Sequence, residues 1–154
     1  MFAFLAATAT AAGLADCPRT FDTAEVIDAV QSAEAAFTSV DIAAFNTARR
    51  DVQARLVCAR DLLAPSAIAR VHRVESLGAF LDGNEGRVPQ ALAGLFFAEP
   101  GHQIPGAILP DGHPIREKVP AAMIALRDDP GEPMPVPASG WGEAAGQAVQ
   151  VAPA

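Results

Sequence analysis

Phe21–Leu63 reads FDTAEVIDAVQSAEAAFTSVDIAAFNTARRDVQARLVCARDLL, and the spacing of its apolar residues decides the fold class. Asp22 stands where a helix N-cap belongs, with Glu25 three residues on to reach back to the cap's own N–H. Phe21 can clasp Val26 across that cap as a hydrophobic staple. Val26, Val30, Ala33 and Phe37 then follow at intervals of 4, 3 and 4, one apolar stripe along a helix. Thr38 and Ser39 break the pattern, and Asp41 restarts it as a second cap flanked by Val40 and Phe45. The stripe Phe45, Ala48, Val52, Leu56, Ala59, Leu63 predicts a second helix of six turns. Its other side, Arg49, Arg50, Asp51, Arg55 and Arg60, reads as a solvated charged face.

Outward from this stretch, proline and glycine punctuate further helices. Pro65 and Ser66 suit a first turn, and Ile68, Val71, Leu77 and Phe80 supply an apolar side before Asp82-Gly83-Asn84 stops the helix. A fourth helix is expected over 86–98, with Pro89 in its first turn and Val88, Leu92, Leu95 and Phe96 inward. From Pro100 to Pro114 the density of proline and glycine predicts an extended loop. Short helical turns at Ile115–Lys118 and Ala121–Arg127 are expected next, returning Met123, Ile124 and Leu126 to the core. The expected fold is therefore all-α, antiparallel helical hairpins with a Pro/Gly-rich loop and tail.

Three segments are assigned: 1–15, 16–128 and 129–154. The first, MFAFLAATATAAGLA, is uncharged, apolar and ends in a small-x-small pattern, which predicts a signal peptide cut before Asp16. A lipid anchor at Cys17 and an ordinary N-terminal helix are the alternatives. The second segment is the helical domain. The third, with Pro133, Pro135 and Pro137 alternating, reads as a Pro/Gly-rich tail, a linker or the start of another domain. Trp141 is its one large anchor, and a fold-back of that residue onto the helices is the competing reading.

Export to the periplasm or beyond the cell places the chain in an oxidising compartment, where its only two cysteines, Cys17 and Cys58, are expected to pair. Antiparallel packing of the first two helices brings the end of the second back to the start of the first, so the pairing is geometrically open. Two free thiols in a reducing cytosol are the alternative if the N-terminal segment is not a signal.

Composition narrows the function classes. A net charge of −7 and no basic cluster argue against nucleic acid or an anionic membrane surface as partner. Ten of the eleven basic residues are Arg, and with the Ala and Pro excess this suggests a GC-rich bacterial genome. His72, His102 and His113 with Asp111 or Glu99 are the one set of residue types from which a metal site could be assembled. Their spacing does not support it: His72 is expected on the surface between Arg70 and Arg73, and His102 and His113 lie in the Pro/Gly loop. No nucleophile elbow, P-loop or paired-cysteine motif occurs. No catalytic, cofactor-binding or metal-ligating residue is assigned, and no cofactor is expected.

The segment ARVHRVESLGAFLDGNEGRVPQALAGLFFAEPGHQIP, residues 69–105, resembles a tetratricopeptide-type unit. Leu77-Gly78 falls in the first helix of the unit and Gly83 in its turn. Val88, Leu92 and Leu95 stand where that family carries small or aromatic residues, and Pro100 closes the second helix. The resemblance implies a non-catalytic scaffold or adaptor that holds a protein partner on stacked helices. The alternative is a small enzyme or ligand-binding domain built on the His102–His113 loop.

Overall fold

The structure, a computed structural model, describes residues 17–128 and the backbone of 140–144 and 147–151. The expected signal segment 1–15 and most of the Pro-rich tail fall outside the described residues. The helical domain is all-α: α1 (Thr23–Thr38), α2 (Ile42–Val57), α3 (Pro65–Leu81), α4 (Arg87–Ala98), α5 (Pro114–Glu117) and α6 (Val119–Asp128). No helix among the described residues is long and apolar enough to cross a membrane.

Helix α1 starts on the expected capping box. The Asp22 carboxylate accepts from Glu25 N–H at 2.9 Å, and the Glu25 carboxylate accepts from Asp22 N–H at 3.0 Å. Val26, Val30 and Ala33 are buried, while Phe37 is half-buried with its ring edge-on to Phe45. The helix ends in a Schellman arrangement, Val40 N–H to Phe37 O and Asp41 N–H to Ala36 O. Its left-handed residue is Val40, at φ 61° and 78% exposed, where glycine is usual.

Asp41 then caps α2 by accepting from Ala44 N–H. The apolar spacing predicts six turns ending at Leu63, but α2 stops at Val57. The peptide groups that would continue it are committed elsewhere. Phe21 N–H donates to Cys58 O and Arg60 N–H donates to Phe21 O, a single parallel bridge to the strand-like entry of α1. Leu63 still reaches the core, from the loop rather than from a helix.

Beside that bridge, Cys17 and Cys58 are disulfide-bonded, with Cα atoms 5.6 Å apart. The start of α1 is thus tied to the end of α2. Pro65 opens α3 at its first position, and α4 buries Val88, Leu92, Leu95 and Phe96 as expected. Two glycines let helices approach closely. A Cβ on Gly94 would meet the His72 ring at 3.0 Å, and one on Gly78 would meet the Arg49 guanidinium at 2.3 Å.

Helix α6 departs from expectation. It packs on α4 through Ala122, with Val119 and Leu126 half-buried on the same side at helical spacing. Met123 and Ile124, expected in the core, are 44% and 53% exposed. One narrow stripe of a ten-residue helix faces α4, and apolar residues outside that stripe point to solvent. Phe97 of α4 is also 52% exposed.

Gly140–Ala144 (β1) and Gln147–Val151 (β2) pair as an antiparallel ribbon, Gly140 opposite Val151 and Ala144 opposite Gln147. A tail or linker reading does not anticipate it. Two glycines in β1 dilute the strand signal.

Candidate functional site

The densest cluster of polar chemistry is a chain of charged side chains running through the domain from α1 to the loop after α4. Glu34 is buried on α1 and is satisfied at both oxygens: Oε1 accepts from Arg73 Nε at 3.0 Å, and Oε2 from Arg70 Nη2 at 2.9 Å. Arg73 is 3% exposed. Charges taken out of water persist only when paired and hydrogen-bonded, and here the carboxylate is shared between two guanidinium groups one helical turn apart on α3.

Arg73 also reaches the loop, its Nη1 lying 2.8 Å from His102 Nε2. A guanidinium nitrogen can only donate, so Nε2 is the acceptor and the imidazole proton sits on Nδ1. That nitrogen in turn donates to Glu99 Oε2 at 2.5 Å. The tautomer of His102 follows from its two neighbours. A carboxylate–imidazole pair is the start of an acid–base device, but the lone pair such a device needs is occupied by Arg73. Arranged this way, the chain Glu99–His102–Arg73–Glu34–Arg70 clamps α1, α3 and the loop together.

His113 lies apart from this chain. Its Nδ1 accepts from Ile115 N–H at 3.2 Å and caps the short α5. Its ring packs against Phe80 and Phe37, with centroids 5.2 and 6.1 Å away. Burial, and then the neighbouring Arg116, push its pKa below the ordinary imidazole value. Arg116 also pins the loop by donating to Leu109 O and Ile104 O.

Of the residues the sequence singles out, Glu99 and His102 meet, His113 and Asp111 do not join them, and Asp111 lies open to solvent 3.9 Å from Arg116. No group of three or more His, Cys, Asp or Glu side chains among the described residues could hold a metal ion. His72, expected on the surface, is 3% exposed because its ring lies on Gly94 of α4, where the missing side chain leaves room for it. The Arg face of α2 is only partly solvated. Arg49 crosses Gly78 to pair with Asp82 at 2.7 Å, and Arg55 pairs with Asp51 and donates to Glu25 O. Arg50 is exposed, as expected of that face, and Arg60 is exposed in the segment beyond the end of α2.

Sequence reasoning missed Glu34 and Arg73, although for Glu34 the signal was there. Glu34 is four residues after Val30 and three before Phe37, inside the apolar stripe of α1. A charge at such a position calls for a buried partner. Arg73 lies off the apolar side Ile68, Val71, Leu77 and Phe80, and only the structure shows that its neighbours Ala69 and Ser76 are buried.

A separate cavity of about 230 Å³ opens where the end of α3, the start of α4 and α5 meet. Phe80, Val88, Pro114 and Ile115 form its apolar wall, and Glu85, Glu117 and Lys118 its rim. No family model, curated protein or solved structure matches the chain.

Proposed function

We propose that this chain is an extracytoplasmic, non-catalytic helical scaffold that binds a protein partner over α4 and α6. The observation that carries the reading is the set of large apolar side chains left in solvent on two helices that pack together, Phe97, Met123 and Ile124. Exposed apolar surface on adjoining elements is what an association face requires. The cysteine pair is compatible with an oxidising compartment, and the tetratricopeptide resemblance of residues 69–105 agrees with a scaffold role. The enzyme reading of the His102–His113 loop has less support, because Arg73 holds Nε2 of His102, Nδ1 of His113 caps α5, and the two imidazoles sit in separate clusters.

A photocrosslinking residue placed at Phe97 or Ile124 in the producing cell tests this. One discrete adduct from both positions, absent when the probe replaces Arg50, is the expected result. Folded protein that gives no discrete adduct from either position would overturn the reading.

A further inference from the structure

We infer that the cavity between α3, α4 and α5 is a docking pocket for an extended segment of a protein partner that carries an apolar side chain next to a basic one. The inference rests on the scaffold reading and names the chemistry of what is bound. At about 230 Å³ the cavity is smaller than the roughly 300–1,000 Å³ of sites for whole small-molecule ligands, and suits one inserted side chain. Four of its seven lining residues are apolar; Val88 and Ile115 among them are buried, while Phe80 is 36% exposed although the rest of its ring is held by His113. An aromatic ring left open at a concave site is an anchor surface for an aliphatic or aromatic side chain.

The rim decides the second residue. Lys118 Nζ donates to Glu85 Oε2 at 3.0 Å, so those two charges answer each other. Glu117 pairs with no cation among the described residues, which leaves the rim with one uncompensated negative charge. The chain as a whole carries −7, so its field draws in cationic segments and repels acidic ones. An apolar residue followed by Arg or Lys satisfies the wall and the rim at once.

The full chain, with Val88 and Ile115 methyl signals followed by NMR, is titrated with three blocked tetrapeptides: acetyl-Gly-Phe-Arg-Gly-amide, its Phe-Glu counterpart and its Ala-Arg counterpart. The Phe-Arg peptide is expected to move both methyl signals saturably. Removing the aromatic side chain should weaken binding about tenfold, the scale of burying one such group. Glu117→Gln should weaken the Phe-Arg peptide about threefold, as an exposed ion pair does, and leave the Phe-Glu peptide unchanged or tighter. The pocket is refuted if no peptide moves these signals, if Ala-Arg binds as well as Phe-Arg, or if Glu117→Gln changes nothing. It is equally refuted if the signals shift with protein concentration alone, which would make the occupant a second copy of the chain. Silent cavity methyls with discrete crosslinks at Phe97 would sink this inference and spare the scaffold reading; peptide binding without those crosslinks would do the reverse.

Discussion

Helices α1 and α2 are held together by means that lie close in sequence or are covalent, whereas α3, α4 and the loop beyond them depend on distant charges and two close approaches. The first pair has a reciprocal cap, a backbone bridge at Phe21 and a disulfide. The second has Glu34, Arg73 and His102 from three separate segments, with His72 resting on Gly94. A domain built this way has one half constrained even when unfolded, and another half in which a shared apolar core is supplemented by charges that must be mutually satisfied.

The largest test of this contrast removes the covalent constraint. Cys17→Ser with Cys58→Ser opens a 41-residue loop, and the chain-entropy model puts the loss near 4 kcal/mol at 25 °C. Urea unfolding of the double variant should show that loss, and an unchanged midpoint would mean that the bridge constrains nothing. Next in size is Arg73→Ala, which leaves Glu34 buried with only Arg70 and releases His102. About 3 kcal/mol should be lost, with amide exchange rising in the 99–113 loop while α2 stays protected. Uniform exchange through both halves would show that they unfold as one unit and erase the contrast.

Gly94→Ala places a methyl 3.0 Å from the His72 ring, and a buried ring has little room to retreat. A loss of about 2 kcal/mol is expected by thermal denaturation. Gly78→Ala makes the sharper comparison. Its closer neighbour is the end of a flexible arginine at the surface, so Arg49 swings away, and the gain in helix propensity offsets the lost pair to within about 0.5 kcal/mol.

The smallest effect is a pH dependence. Burial lowers the pKa of His113 in the folded state, so the unfolded chain binds the proton more tightly. Stability from this group is complete above the ordinary value of about 6.5 and is lost as pH falls below it. Glu25 acts in the same direction but at lower pH, since its lowered pKa removes stability only as pH drops below about 4.5. His113→Asn keeps a capping side chain and should flatten the upper window alone; a slope there equal to that of the parent would remove His113 as its source.

What could be read in the sequence follows the same division. The start of α1, the second cap at Asp41, the limits of α3 and α4 and the cysteine partners each rest on residues a few positions apart or on there being only two candidates. The end of α2 could not be read that way. Its apolar stripe continues past Val57, and only the bridge from Phe21 ends it. Nor could the burial of His72, which needs a glycine on another helix, or the exposure of Met123 and Ile124, because α6 is apolar on more sides than α4 can cover. Periodicity states which positions are apolar, and tertiary packing selects the stripe that is used.

The disulfide also decides how the molecule would answer to tension. A pull applied at the two ends of the chain travels through the bond between Cys17 and Cys58 and bypasses the loop they close, a sequence separation of 41. Helices α1 and α2 bear no load along their backbones; the load falls instead on the chain after Cys58. Reduction would add a hidden length of about 150 Å, at roughly 3.6 Å for each released residue. In a single-molecule recording that extra step would distinguish the oxidised protein from the reduced one.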